Sequence, residues 1–126
     1  MKLLKQLLLV ILCILPIGVY AKDIDTQESY KLIQNNSNIK IIDVRTPQEF
    51  QSGYIKGAIN INISDNNFIS QIQNLDKKQT YLIYCRSGAR SKKAEQILNS
   101  YGISNTYNMT GGIINWSQNK LPIITE

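Results

Sequence analysis

Apolar residues come in short blocks along this chain, and the period of the blocks changes from one to the next. Residues 1–21, MKLLKQLLLVILCILPIGVYA, open with Lys2 and Lys5, run apolar from Leu7 to Val19, and end with Val19 and Ala21 at the small-residue positions of a cleavage site. This pattern predicts a secretory leader cut after Ala21. The apolar run is shorter than the roughly 20 residues of a bilayer-spanning helix, and Pro16 and Gly18 interrupt it, so no permanent membrane span is expected; retention as a short N-terminal anchor is the alternative. Residues 22–126 then form a single domain. Tyr30, Leu32 and Ile33 lie among polar residues before Asn35–Asn38, which predicts a short amphipathic helix over residues 22–38 ending in a turn. Ile39 to Val44 is a buried strand, and Thr46-Pro47-Gln48-Glu49 is a capping box with proline at the first helical position, opening a short helix to about Gly53. Residues 58–63 alternate as a strand, 65–75 repeat at helical spacing, and Tyr81 to Tyr84 is a strand running straight into Cys85. Ala94, Ile97, Leu98 and Tyr101 define a helix stopped by Gly102, residues 105–109 make a last strand, and Thr110-Gly111-Gly112 turns into a short helix carrying Trp116. Leu121-Pro122-Ile123 closes the domain.

Strands alternating with helices predict an α/β fold, a parallel sheet covered on both faces. In such sheets ligands bind beyond the carboxyl ends of the strands. Cys85, and Asp43 with Arg45, all fall at carboxyl ends and share that edge.

Composition narrows the chemistry. The 126 residues include no histidine, which removes imidazole bases, imidazole metal ligands and Ser-His or Cys-His couples. Two cysteines cannot make an ordinary zinc site, and no GxxxxGK[ST] run is present, so neither a metal nor a cofactor is expected. Cys13 sits inside the apolar leader as a filler. Loss of the leader removes two lysines and no acid, taking the net charge from +5 to +3. The lysines are scattered apart from Lys77-Lys78 and Lys92-Lys93, so no nucleic-acid partner is expected. A leader on a compact chain suggests export to a bacterial periplasm, with the domain acting as a monomer. There Cys85 is left as an unpaired thiol in an oxidising compartment, which calls for a functional explanation.

The segment Cys85-Arg86-Ser87-Gly88-Ala89-Arg90-Ser91 joins a buried strand to a helix. Small residues let such a turn point its N–H groups inward, and a helix N-terminus and two arginines add positive potential. A cysteine there has its pKa lowered toward the thiolate. The alternative is a structural cysteine buried at a strand end.

These residues resemble the rhodanese-like sulfurtransferases, particularly small exported single-domain members. The likeness runs through Ile42-Asp43-Val44-Arg45, Pro47-Gln48-Glu49-Phe50, Gly53 to Ile61, Tyr84 to Ser91, and Gly111-Gly112-Ile113 with Trp116. It implies a five-stranded parallel sheet flanked by helices, and a thiosulfate sulfurtransferase that carries sulfur on Cys85 as a persulfide and passes it to a thiol or cyanide. Where the family commonly has Gly-His-Ile-Pro-Gly, this chain has Gly53-Tyr54-Ile55-Lys56-Gly57, a stretch that is mainly structural. Backbone N–H groups from Arg86, Ser87, Gly88, Ala89 and Arg90 would hold the persulfide, with Arg86 either meeting the anionic donor or facing solvent and only raising the local potential. Arg90 either contacts substrate or ties the loop to a carboxylate. Asp43 and Arg45 are expected to support the helix opening at Thr46, with a catalytic pair as the alternative. Two other readings remain at this stage: a non-catalytic sulfur-carrying or partner-binding module, and a cysteine-dependent phosphatase or arsenate reductase. Phosphatases space their loop as C-x5-R, whereas Cys85 to Arg90 is C-x4-R.

Overall fold

Five short strands pair side by side in one direction. The computed structural model describes residues 20–125. The strands are β1 (Tyr20–Ile24), β2 (Lys40–Asp43), β3 (Ala58–Asn60), β4 (Tyr81–Tyr84) and β5 (Asn105–Met109). Their order across the sheet is β1-β5-β4-β2-β3, and every pairing is parallel. The helices are α1 (Thr26–Asn35), α2 (Pro47–Gln51), α3 (Phe68–Gln73), α4 (Ala89–Ser100) and α5 (Gly112–Gln118). No described helix is long and apolar enough to cross a membrane. The expected leader lies outside the described residues apart from Tyr20 and Ala21.

Both faces of the sheet are covered, which is why the central strands read as apolar runs without alternation. Tyr81 and Ile83 of β4 pack with Phe68 and Ile72 of α3 and with Ala94 and Leu98 of α4. Leu82 and Tyr84 face the other way, into a layer built with Ile113 and Trp116 of α5 and the half-buried Tyr30 and Ile33 of α1. Each fully buried isoleucine or leucine contributes about 1.5–3 kcal/mol, so the two layers anchor β4 from both sides. That anchoring fixes the place where β4 ends and Cys85 begins.

The N-terminal strand departs from the expected pattern. Residues 22–38, expected as helix, hold the end of β1 and then α1. Four of the five β1 residues are exposed, so the strand has no apolar period, and only its backbone pairing with β5 defines it. The Tyr20 N–H donates to the Ser104 carbonyl at 3.0 Å, and the expected cut after Ala21 falls inside this strand. Asp25 caps α1 reciprocally with Glu28. The ladder of β3 stops at Asn60 rather than Ile63. The chain still follows β2, because the Ile61 and Ile63 N–H groups donate to the Asp43 and Val44 carbonyls.

The capping box of α2 forms as expected, with Thr46 and Glu49 bonded in both directions. Glu49 also receives two hydrogen bonds from Arg90, Nη1 to Oε1 at 2.7 Å and Nη2 to Oε2 at 2.8 Å. This clamp joins α2 to the first turn of α4. The Arg90 hydrogen bonds outweigh the opposing effect of burial and, with those from Thr46, lower the Glu49 carboxyl from 4.5 to about 2.

The start of α5 lies against the turn after β4. Gly112 has φ +61°, and a Cβ placed there would stand 2.1 Å from the Arg86 carbonyl oxygen. The next two N–H groups, of Ile113 and Ile114, donate to the Cys85 and Arg86 carbonyls at 3.0 and 3.2 Å.

Two outcomes are expected. Gly112→Ala suffers both a left-handed backbone and this collision, whereas Gly57→Ala, at φ +88° with nothing within 4 Å of its Cβ, suffers the backbone term alone. That term is about 1–3 kcal/mol. Thermal unfolding of the two variants should show Gly112→Ala losing clearly more, and equal losses would remove the packing argument. Glu49 has its folded pKa depressed, so its contribution to stability is full above 4.5 and is lost as pH falls toward about 2. The two side chains are 29% and 35% exposed, so the contribution is modest. Melting curves across that window should fall less steeply for Glu49→Gln than for the unaltered protein, and identical slopes would contradict the clamp.

Candidate active site

Cys85 is the first residue past β4 and is 1% exposed. Its sulfur sits at the carboxyl end of the sheet, within the turn Arg86–Gly88 that leads into α4. Gly88 takes φ +113°, which lets the chain reverse there and aim its own N–H at the Cys85 Sγ, 3.1 Å away. Ser91, buried in the first turn of α4, places its Oγ 3.4 Å from the same sulfur. Burial alone would raise the Cys85 thiol. Hydrogen bonding to the Ser91 hydroxyl and to the N–H groups of Ser91, Gly88 and Ser87 outweighs it and holds the thiol below its ordinary value. Of the N–H groups expected over residues 86–90 to line the sulfur, that of Gly88 lies within hydrogen-bond distance of it. The Ser91 hydroxyl, one residue beyond that stretch, also faces the sulfur.

The three arginines at this edge differ in what they can do. Arg45 is buried, and its Nε and Nη2 donate to the Asp43 carboxylate, the shortest contact being 2.6 Å. Its Nη2 also reaches the Gly53 carbonyl at 2.7 Å. Asp43 further accepts from the Arg45 N–H, and Asn60 Nδ2 donates to the Asp43 and Arg45 carbonyls. This pair braces β2, the loop that follows it and the turn at Gly53. The helix opening at Thr46, which it was expected to support, is instead held by Glu49. Tyr84 lies between: its hydroxyl accepts from the Ile55 N–H at 3.1 Å, and the Arg45 guanidinium stands 5.7 Å from its ring centre. Burial, reinforced by the Asp43 charge, pushes the Tyr84 phenol far up, so it stays protonated.

Arg90 is committed to Glu49 through both terminal nitrogens. Of its two expected roles the structure displays the tie to a carboxylate. Arg86, Ser87 and Ala89 are exposed around the mouth. Arg86 makes no side-chain hydrogen bond or ion pair among the described residues, so it is the cation left over for an incoming anion. Trp116, expected as core or pocket wall, belongs to the core: it is 2% exposed and donates from Nε1 to the Pro122 carbonyl, and it also lines a small cavity with Tyr30, Ile33 and Ile55. Tyr54, standing where the related pattern has histidine, stacks on Phe50 and pairs its backbone with Ile124.

Besides Ser91, two contributors escaped the sequence reading. Gly112 was visible as part of a glycine turn, but its contact with the Arg86 backbone has no side-chain signature. Glu49 was visible as a capping residue, and its partner lies 41 positions away.

The arrangement is matched by known proteins. The model of the rhodanese-like domain family matches residues 26–119. A sulfurtransferase of Allochromatium vinosum is 31% identical over 102 residues, covering 81% of this chain and 94% of its own. A thiosulfate sulfurtransferase of Arabidopsis thaliana is 31% identical over 115 residues, covering 82% of this chain and 83% of its own. Among solved structures, a rhodanese-related protein from Thermoplasma volcanium is similar with a TM-score of 0.68 and 28% identity, over 83% of this chain and 99% of that one. A parallel sheet in this strand order, a cysteine in an amide-lined turn at its carboxyl end, and these likenesses carry one conclusion: the chain belongs to the rhodanese-like domain family, and its function is of sulfurtransferase type.

Proposed function

We propose that the protein is a thiosulfate sulfurtransferase that carries sulfane sulfur on Cys85 as a persulfide. The observation that carries this reading is a buried thiol held below its ordinary pKa, with the Gly88 N–H and the Ser91 hydroxyl against its sulfur and the exposed Arg86 next to it in the chain. The Cys85 thiolate attacks the outer sulfur of thiosulfate. A new S–S bond forms, the S–S bond of thiosulfate breaks, and sulfite leaves with the electron pair. Sulfite is weakly basic, so no general acid is needed, which suits a chain without histidine. A thiolate or cyanide then attacks the outer sulfur of the persulfide and restores the Cys85 thiolate. The donor is thus a small sulfur anion, and the two half-reactions share one site in a ping-pong cycle.

The N–H groups aimed at the sulfur act as an oxyanion hole does, holding charge in fixed dipoles that need no reorganisation. Phosphate transfer fits less well, because an arginine bound to Glu49 through both terminal nitrogens is not free to take two phosphate oxygens. The leader expected over residues 1–21 supports action after export, in a bacterial periplasm.

Intact-mass spectrometry tests the cycle. Thiosulfate should add one sulfur, about 32 Da, at Cys85, and cyanide should remove it, as the covalent route requires. Cys85→Ser should stay folded and lose both the mass gain and thiosulfate:cyanide turnover; turnover in that variant would defeat the mechanism. Arg86→Ala removes the free cation while leaving the cradle intact. Loss of one charge-assisted contact lowers kcat/KM for thiosulfate by about tenfold or more. An unchanged value would show that Arg86 does not meet the donor.

A further inference from the structure

The Ser91 hydroxyl has one proton and two acceptors within reach. Its Oγ lies 3.0 Å from the Gly88 carbonyl oxygen, to which it donates, and 3.4 Å from the Cys85 Sγ, which donates to it. In the thiol form this makes an ordered chain, from S–H to Oγ and from Oγ–H to the Gly88 carbonyl. Once the thiol has lost its proton, the same orientation would leave an oxygen lone pair facing a sulfur anion. Ser91 is fully buried, so no solvent intervenes to screen that contact. Turning the hydroxyl proton onto Sγ converts the repulsion into a charge-assisted hydrogen bond. The turn orphans nothing, because the Gly88 carbonyl keeps a second donor, the Lys92 N–H at 3.1 Å.

We propose that the Ser91 hydroxyl is a two-position rotor, donating to the Gly88 carbonyl while Cys85 is a thiol and to the Cys85 sulfur while it is a thiolate. This deepens the persulfide reading above and rests on it, since it makes Ser91 a catalytic residue of the same site. The rotor does not carry the proton away, because a carbonyl cannot pass it on.

The charged and titratable groups around the sulfur set a background that the rotor does not share. Arg90 on α4 acts on Cys85 through space while Glu49 of α2 holds its guanidinium. Asp43 and Arg45 at the end of β2 neutralise each other, Tyr84 of β4 is protonated, and Arg86 is exposed. Helices α3 and α5 carry no charged residue. Among the described residues, the Ser91 hydroxyl is the one side chain within hydrogen-bond distance of Sγ.

The test is the rate of Cys85 alkylation by iodoacetamide as a function of pH, on the purified protein and on Ser91→Ala and Ser91→Thr. Ser91→Ala should move the midpoint to higher pH and slow alkylation near neutrality by about tenfold, the worth of one hydrogen bond to a charged group. The rate at high pH should be retained, and Ser91→Thr, which keeps the hydroxyl, should hold the original midpoint. A folded Ser91→Ala with an unmoved midpoint overturns the proposal. Should that variant fail to fold, the unaltered protein decides. Its Gly88 carbonyl ¹³C resonance must shift with the same midpoint as the Cys85 Cβ, because it gives up an accepted hydrogen bond; a Gly88 carbonyl that stays still overturns the rotor. Alkylation needs no sulfur donor, so a failed persulfide assay and a failed rotor are distinguishable.

Discussion

A sulfur that carries charge out of water must find its hydrogen-bond donors already in place, and the carboxyl end of this sheet is arranged around that requirement. A peptide turn offers carbonyls as well as N–H groups, and the two must be sorted. Here the sorting is done by α5, whose Ile113 and Ile114 N–H groups take up the Cys85 and Arg86 carbonyls. With those oxygens engaged on one side, the N–H groups of Ser87, Gly88 and Ser91 are left to the sulfur on the other. Gly88 makes the reversal possible, and Gly112 lets two backbones meet where any side chain would intrude.

Charge is apportioned with the same economy. Three arginines crowd one edge, and left unpaired they would repel one another and draw any anion indiscriminately. Asp43 takes Arg45 into a buried pair that also grips Gly53, and Glu49 takes Arg90 into a partly exposed one. Each pair has a mechanical effect: the first fixes the loops beside β2, the second ties α2 to the start of α4. What remains is Arg86, exposed, without an ion pair among the described residues, and next in the chain to the nucleophile.

Much of this was legible in the residues themselves, for identifiable reasons. Strands buried on both faces announce themselves as apolar runs, so β2 and β4 stood out, and with them the strand end that bears Cys85. The Thr46–Glu49 box is a local pattern and formed as read. The features that were missed are the non-local ones. An edge strand such as β1, exposed along most of its length, is made by backbone pairing and leaves no period to detect. A carboxylate tie was one of the two roles open to Arg90, but nothing in a separation of 41 residues singles out Glu49 as the partner, and Ser91 looks like any small residue in a first helical turn until its distance to the sulfur is known.

The dependence of the Cys85 turn on α5 has a temporal side. The chain is made from its N-terminus, and α5 is the last helix to emerge, more than twenty residues after the cysteine it helps to enclose. Without Ile113 and Ile114 the Cys85 and Arg86 carbonyls lose the donors that hold them here. A chain ending before residue 112 therefore keeps the Gly88 reversal and Ser91 but lacks the contact that braces the turn from behind.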